Sequence, residues 1–359
     1  MKRRITAIIL ITIYVCLLIS ACAKTVPTDQ GGIIITDMAG REVTVPDSPQ
    51  SICVLDAYAA PIVVMLGYGD RMPTTIKSVS RNQLLLSMCP ALENAVVVKN
   101  SGAINAETIL EKCTDLIIVG VETYLNTDEK AKLETLGIPY IVVAYTSMAD
   151  QMDVVTLLGN ALQSEDMAAK FVQYYQSCID LVSRGAPEFP VGYDVKLYHS
   201  VNEAVRTDYP GSLCADWISL MHVTNVSLDS TLNMTEDKAY ATLEQIYAWD
   251  PDIIICNESG VADYILTDSK WQGLRAVIDH NVFQIPIGLS RWGHPTSNET
   301  PLAILWLAEL LYPDQFDIDI RLEMTDYYKE FFNYDISDIE ADDIISGYGV
   351  RTPKTSSVK

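Results

Sequence analysis

The segment EDMAAKFVQYYQSCIDLVSR, residues Glu165 to Arg184, decides the fold, because it predicts one long amphipathic helix in the middle of the chain. Its apolar side chains recur at steps of three and four residues and form one broad stripe. The centre of this stripe is Met167, Phe171, Tyr174, Cys178 and Leu181. Ser164 is a suitable N-cap, and Gly185 followed by Pro187 ends the helix. A helix of this length spans about 30 Å, the width of a small domain.

The chain on each side of this helix alternates apolar strands with helices, which predicts parallel sheets. A hairpin over 33–45 comes first. The predicted strands are then 51–55, 75–79, 95–99, 115–119 and 140–143 before the helix, and 195–198, 252–256 and 282–285 after it. We therefore interpret the chain as two α/β lobes joined by one stiff helix. The alternative is an ordinary amphipathic surface helix at this position.

One segment occurs in both halves. NAETILEKCTDLIIV begins at Asn105, and TLEQIYAWDPDIIIC begins at Thr242. In each copy a capping residue is followed two positions later by a glutamate, which is Glu107 or Glu244, and then by an isoleucine and by an aspartate that opens a strand. The repeat indicates two lobes of like construction.

The first residues are predicted to lie outside the fold. Lys2, Arg3 and Arg4 precede an apolar run from Ile5 to Ile19, which is typical of a signal peptide and short for a membrane span. Small residues before Cys22 resemble the bacterial lipoprotein signal, which implies cleavage before this cysteine and acylation of its thiol. The alternative is an uncleaved anchor helix.

These signals divide the chain into six parts. The predicted parts are a signal peptide (1–21), a tether (22–32), an N-terminal lobe (33–163), the bridging helix (164–186), a C-terminal lobe (187–313) and a helical tail (314–359). The tail is expected to pack on the second lobe, and residues 351–359 are expected to be frayed.

Composition excludes several kinds of partner and site. The net charge of −22 argues against nucleic acid and against anionic lipid as direct partners. The four histidines show no zinc-ligand spacing, and no pair of cysteines forms a CxxC motif. Buried free thiols are therefore expected at Cys53, Cys89, Cys113, Cys178, Cys214 and Cys256, although an exported protein permits a disulfide.

A series of short motifs, in this order, resembles the solute-binding proteins of iron-siderophore, haem and cobalamin ABC importers. Besides the repeat, the motifs are DMAGREVTVP from Asp37, SICVL from Ser51, LGYGD from Leu66, WQGLRAV from Trp271, NVFQIP from Asn281 and LWLAELLYP from Leu305. The resemblance implies two Rossmann-like lobes with parallel sheets, bridged by one long helix, with the ligand held between them.

The resemblance also implies partners. In this family one glutamate on each lobe docks on arginines of the membrane permease, and the matching positions are Glu107 and Glu244. An ABC permease dimer with its cytoplasmic ATPase is thus expected, with the receptor held on the outer face of the cell membrane by its lipid, or periplasmic. The alternative is that each acid only interacts favourably with the positive end of its helix dipole, which contributes about 0.3–1 kcal/mol.

Ligands of such sheets sit beyond the carboxyl ends of the strands. The candidate ligand-binding residues are Tyr58, Lys77, Arg81, His199, Asn202, Arg206, Arg291, Trp292 and His294. The two arginines Arg206 and Arg291 are suited to carboxylates or catecholates of a chelate. Tyr58 and Trp292 are suited to stacking on a flat ligand, and Tyr58 or His294 to haem iron. The alternatives are that Arg206 pairs with Asp208 and that Trp292 belongs to the core.

The resulting hypothesis is a non-catalytic receptor that captures an iron-chelate complex for an importer and needs no cofactor. Haem, a corrinoid or an oxoanion is the alternative ligand. A two-lobed metal chelatase is a competing hypothesis from another class, but no nucleophile–base set or glycine-rich cofactor motif is present. A zinc or manganese receptor lacks its histidine ligands here.

Overall fold

The computed structural model of the protein describes residues 31–100, 102–187, 195–236 and 238–349. The predicted signal peptide, the lipidation site Cys22 and the end 351–359 lie outside the described residues. In the part of the chain that is described, no helix combines the length and the apolar character needed to cross a membrane.

The first lobe is a hairpin followed by a six-stranded sheet. The strands are β1 (Gly32–Thr36) and β2 (Glu42–Pro46) of the hairpin, then β3 (Ile52–Val54), β4 (Thr74–Ile76), β5 (Val96–Asn100), β6 (Ala103–Ile104), β7 (Leu116–Gly120) and β8 (Tyr140–Val143). The sheet order is β6-β5-β4-β3-β7-β8, and only β5 and β6 are antiparallel. All three residues of the central strand β3 are buried, as both-side coverage by helices requires.

Helices connect these strands. They are α1 (Ala59–Met65), α2 (Gln83–Met88), α3 (Ala106–Glu111), α4 (Val121–Leu125), α5 (Thr127–Leu136) and α6 (Met148–Ala161). Four of them begin after a residue whose side chain accepts a first-turn backbone N–H, which satisfies a donor that the helix itself cannot pair. These capping residues are Asn82, Asn105, Asn126 and Ser147.

The second lobe follows α7 (Glu165–Gly185) and contains two sheets. Its strands are β9 (Lys196–Ser200), β10 (Arg206–Thr207), β11 (Thr224–Asn225), β12 (Asn233–Thr235), β13 (Lys238–Tyr240), β14 (Ile253–Cys256) and β15 (Val282–Gln284). The main sheet is parallel in the order β11-β9-β14-β15, and the small sheet β10-β13-β12 is antiparallel. The helices are α8 (Leu213–Ser219), α9 (Leu243–Trp249), α10 (Val261–Thr267), α11 (Arg275–Ile278) and α12 (Thr300–Leu311).

The central helix α7 packs between α6 of the first lobe and α12 of the second, so the prediction of two α/β lobes with parallel sheets and one long connecting helix is confirmed. The residues that it buries are Ala168, Phe171, Tyr175, Cys178 and Val182. The predicted centre of the apolar stripe is wrong at Leu181, which is exposed, while the next residue, Val182, is buried. One continuous apolar cluster runs through α7 and includes core residues of both lobes.

The tail forms α13 (Ile320–Phe332) and α14 (Asp338–Ile345). Its aromatic side chains pack on the central helix as well as on the second lobe, which corrects the expected position of the tail. The Phe331 ring lies 5.2 Å from Phe171 and 5.4 Å from Tyr174, measured between ring centroids. Such aromatic pairs contribute about 0.5–1.5 kcal/mol beyond the area that they bury. The tail is therefore part of the bridge between the lobes.

The fully buried amide of Gln151 in α6 joins parts of both lobes. Its Nε2 donates to the carbonyls of Pro295 and Ser297, at 3.1 and 3.2 Å, in the second lobe. Its Oε1 accepts from the Tyr175 hydroxyl of α7 at 2.8 Å, and its backbone carbonyl accepts from the Tyr58 hydroxyl at 3.0 Å. Buried polar groups are costly unless paired, so this network favours one relative position of the lobes.

We predict that Gln151→Ala lowers the free energy of unfolding by about 2–4 kcal/mol, because the Tyr175 hydroxyl and the Pro295 and Ser297 carbonyls lose this partner and a cavity opens. Urea unfolding measures the change. The matched control is Gln173→Ala on the exposed face of α7, which should stay within about 0.5 kcal/mol of the wild type. Equal stability of both variants would contradict the structural role of the network.

Candidate functional site: the cleft between the lobes

A cleft of about 730 Å³ lies between the two lobes, at the carboxyl ends of their parallel strands. The first lobe lines it with the segment 77–83 that follows β4, and the second with residues that follow β14 and β15. Hydroxyl and amide side chains make up much of both walls. The polar, uncharged lining residues are Ser78, Ser80, Asn82, Gln83, Asn100, Ser259, Ser290, Thr296 and Asn298.

The first-lobe wall carries two cations. Lys77 and Arg81 flank a short 3₁₀ turn, and their side chains are exposed to the cleft. The buried Val79 between them anchors this turn to the core. Neither cation has an ion-pair or hydrogen-bond partner for its charged group among the described residues. Both charges are therefore available to a ligand.

Asn82 ends the 3₁₀ turn and links the two walls. Its side-chain oxygen accepts from Leu85 N at 3.2 Å and caps α2, while its Nδ2 donates to the Leu289 carbonyl of the second lobe at 2.6 Å. One neutral hydrogen bond of this kind contributes about 0.5–1.5 kcal/mol to stability, so it is a weak connection between the two walls of the cleft.

The second-lobe wall carries an ion pair. Arg291 Nη1 lies 2.5 Å from Glu258 Oε2, and both side chains are mostly buried. With Lys77 and Arg81, the lining holds three cations and one acid. The cleft is thus locally positive in a chain whose net charge is −22, and clefts with low-dielectric walls concentrate such a field.

The loop that carries Arg291 is held by a fully buried carboxylate, Glu299. Glu299 accepts from the backbone N–H groups of Leu289 at 2.7 Å and Ser290 at 2.8 Å, and from the Tyr328 hydroxyl of the tail. Burial raises the pKa of Glu299, while these donors favour its charged form. Both carboxyl oxygens act as acceptors here, because the two backbone N–H groups can only donate.

The structure contradicts the proposed stacking residues. Tyr58 and Trp292 are both fully buried, so no ligand reaches their rings. The Tyr58 hydroxyl donates a hydrogen bond to the backbone carbonyl of Gln151. Burial and the charge of Asp56 raise the pKa of Tyr58 well above its usual value. The prediction of Tyr58 and Trp292 as ligand platforms, and of Tyr58 as a haem ligand, is wrong because both side chains fill the core.

Four other candidates lie away from the cleft lining. His199 is fully buried, and Asn202 donates its backbone N–H to Asn257. Arg206 lies in β10, paired with Tyr240 of the small antiparallel sheet that the sequence pattern did not predict. His199 was misplaced because β9 continues to Ser200, beyond the predicted strand 195–198. Asn202 and Arg206 were misplaced because the path of the chain beyond this strand was not predicted.

His294 also lies outside the lining. Its Nδ1 lies 2.9 Å from the Thr296 hydroxyl and accepts the backbone N–H of the same residue. Of the nine predicted residues, the structure brings together Lys77, Arg81 and Arg291.

One buried cluster combines residue types that can ligate metals. His199, Asp208 and Cys214 offer donor atoms within 4.8 Å of one another. All three side chains are also engaged in hydrogen bonds within the protein, and Cys214 Sγ donates to the Gly293 carbonyl. Asp208 already accepts from the Asn225 amide at 2.8 Å and lies 3.1 Å from His199 Nδ1. We interpret the cluster as a structural hydrogen-bond network.

Of the six cysteines described, all free, only Cys113 is exposed, contrary to expectation.

Glu107 and Glu244 occupy equivalent places on the two lobes. Each is exposed in the first turn of a short helix, α3 or α9. The caps before them, Asn105 and Thr242, accept the backbone N–H groups of the third helical residue at 3.1 and 3.2 Å. The local geometry matches the predicted repeat, and the docking role of the two acids stays a prediction.

Sequence reasoning missed three residues of this site. Glu258 lies two residues after the end of β14, so the rule that located Lys77 would also have located it. Glu299 gave no signal, because its role depends on the tertiary approach of the tail. Tyr348 lines the cleft from the far C-terminal end, where sequence patterns say nothing of the path.

We predict that Glu299→Gln lowers the free energy of unfolding by about 2–4 kcal/mol, because one amide N–H₂ then faces donors that need an acceptor. Thermal or urea unfolding measures it. The matched control, Glu134→Gln at an exposed position of α5, should change stability by less than about 0.5 kcal/mol. A stable Glu299→Gln variant would mean that the carboxyl group is already protonated in the native state.

Comparison with known proteins agrees with this architecture. The molybdate-binding protein MolA of Haemophilus influenzae is 26% identical over 325 residues, covering 83% of this chain and 90% of that protein. A periplasmic solute binding protein from Veillonella parvula superposes with a TM-score of 0.75 at 23% identity, over 87% of this chain and 96% of that one. CeuE of Helicobacter pylori, in a nickel–histidine complex, gives a TM-score of 0.69 at 19% identity, over 88% and 99% of the two chains.

Family membership rests on a match to a family model. The model of the periplasmic binding protein family matches residues 52–287, which include both parallel sheets and the central helix. This match agrees with the expected non-catalytic role. The chain therefore belongs to the periplasmic binding protein family, as a solute receptor rather than an enzyme.

Proposed function

We propose that this receptor captures a hydrophilic, anionic metal chelate of the iron-siderophore type and delivers it to its permease. The observation that carries the proposal is the charge of the cleft, where the exposed cations Lys77 and Arg81 face a wall with Arg291. Charged hydrogen bonds to a ligand contribute about 1.5–3 kcal/mol each. Guanidinium groups also bind carboxylate and catecholate oxygens in bidentate geometry.

The size and lining of the cleft support a chelate. A volume of about 730 Å³ lies within the range of about 300–1,000 Å³ that is usual for sites of drug-sized ligands. Many lining groups are hydroxyls and amides, which favour a ligand rich in oxygen. Haem and corrinoids are less suited, because most of the lining side chains are polar, whereas a large flat macrocycle needs apolar surface to cover it.

A tetrahedral oxoanion is the second candidate. The observation that favours it is the relative from Haemophilus influenzae, whose name states that it binds molybdate. The same three cations of the cleft would serve such an anion. A bare oxoanion is much smaller than the cleft of about 730 Å³, whereas a chelate would fill it.

The ligand class is tested on the purified mature protein. A broad charge-transfer band together with bound iron would support a siderophore-type chelate. Molybdenum without a visible band would support the oxoanion, and a Soret or corrinoid spectrum would reject both.

We predict that Lys77→Ala and Arg81→Ala each weaken binding of the anionic ligand by about 1.5–3 kcal/mol, because each removes charged hydrogen bonds. Tryptophan fluorescence titration measures the dissociation constant. Lys112→Ala is the matched control, since it removes the same charge at an exposed position outside the cleft and should leave affinity unchanged. Wild-type affinity in the Lys77/Arg81 double variant would reject the cationic wall as the ligand site.

Delivery is proposed to use Glu107 and Glu244 against an arginine-rich socket on each half of the permease dimer. Two equivalent, exposed carboxylates on two like lobes suit a partner with two-fold symmetry. We further propose that a lipid on Cys22 holds the exported receptor near the membrane. The tether that follows this cysteine contains glycine and proline and gives the receptor reach.

We predict that Glu107→Ala and Glu244→Ala leave ligand affinity intact and reduce uptake, with a larger loss in the double variant. Interfacial charge pairs shielded from water are worth more than exposed ones, and reversal to Arg should be worse than Ala because it repels the socket. Affinity on purified protein and uptake in cells are measured side by side, with Glu134→Ala as control. Normal uptake by the double variant would leave both acids as helix-dipole partners only.

A further inference from the structure

We propose that Tyr348, in the C-terminal segment, is a specificity residue of the cleft that stacks on an aromatic ring carried by the ligand. The inference rests on the proposed function, because it needs a ligand in the cleft, and it names one chemical group of that ligand. It assigns to the tail a role in recognition in addition to its packing on the central helix.

Tyr348 has the position and the exposure that stacking requires. It is the only aromatic side chain among the described residues that line the cleft, and 52% of its surface is exposed. Exposed aromatic surface in a ligand cleft is favourable to cover, because it leaves water on binding. Tyr348 thus takes the place that the sequence pattern assigned to Tyr58 and Trp292.

The ring is oriented before any ligand arrives. Its hydroxyl donates to Asp263 Oδ2 of α10 at 3.1 Å. This bond and the charge of Asp263 raise the pKa of Tyr348, so the hydroxyl keeps its proton and the ring stays uncharged at neutral pH. An oriented side chain loses less conformational entropy on binding than a freely rotating one.

The backbone around Tyr348 is fixed as well. Ile287 N donates to the Ile344 carbonyl at 2.9 Å, and Gly349 N donates to the Asp343 carbonyl at 2.8 Å. Gly347 and Gly349, on either side of the tyrosine, have φ of 73° and 68°, in the left-handed region that favours glycine. A Cβ at Gly349 would lie 2.9 Å from Ile287 Cγ2, so only glycine lets the segment lie this close to the second lobe.

Charge and ring then recognise different parts of one ligand. Lys77 and Arg81 attract the anionic oxygens, and Tyr348 covers the carbon face of a ring that bears such oxygens, as a catecholate does. Offset stacking of two rings is favourable beyond the area buried. A ferric chelate without rings, or a tetrahedral oxoanion, gains nothing from Tyr348, so this residue discriminates among anions of similar charge.

The test compares Tyr348→Ala, Tyr348→Phe and the wild type with three probes: ferric 2,3-dihydroxybenzoate, ferric citrate and molybdate. We expect Tyr348→Ala to weaken binding of the dihydroxybenzoate complex by about three- to tenfold and to leave the other two probes unchanged. Tyr348→Phe keeps the ring and should stay within about twofold of the wild type. The matched control is Tyr247→Ala, an exposed tyrosine outside the cleft whose hydroxyl is also hydrogen-bonded.

Unchanged affinity of Tyr348→Ala for the dihydroxybenzoate complex would overturn the inference. An equal loss with all three probes would also overturn it, because a general structural effect does not select for rings. Wild-type binding of molybdate but of neither chelate would reject Tyr348 as a ring platform and leave the oxoanion candidate standing. Binding of none of the probes would reject the proposed function together with the inference.

Discussion

The relative position of the two lobes depends on the buried amide of Gln151. It pairs with the central helix through Tyr175 and with the second lobe through the carbonyls of Pro295 and Ser297. Because an unpaired buried amide is costly, each alternative arrangement of the lobes loses several hydrogen bonds at once. The cleft is thus largely formed by this network, and the weak hydrogen bond from Asn82 to the Leu289 carbonyl crosses it directly.

The surface of the protein and the lining of the cleft carry charges of opposite sign. A net charge of −22 keeps the surface acidic, while the lining of the cleft is positive. The two cations of the first lobe remain hydrated, whereas Arg291 is mostly buried and is balanced by Glu258. A buried arginine without such a partner would be expensive. The unpaired cations are therefore available to an anion, as the proposed function requires, and the paired one forms part of the opposite wall.

The sequence was informative wherever periodicity or capping determines structure locally. The long helix, the parallel strands and the repeat around Glu107 and Glu244 follow from such patterns, and so does the position of Lys77 beyond its strand. Prediction failed where tertiary packing decides. Tyr58 and Trp292 follow strands as ligand residues do, yet they fill the core. Arg206 lies outside the cleft lining because it belongs to a small antiparallel sheet. The strands of this sheet have two or three residues and are too short to show a hydrophobic period in the sequence.

The continuous apolar cluster through the central helix has a consequence for folding. Side chains of both lobes, of α7 and of the tail share one core, while the second lobe also has a separate apolar cluster around Tyr198, Ile254 and Trp271. The first lobe therefore has no hydrophobic interior apart from the shared core, although the two lobes resemble a duplicated unit. Cutting the chain beside the central helix would expose apolar surface on each half, so unfolding of the bridge would open the first lobe with it.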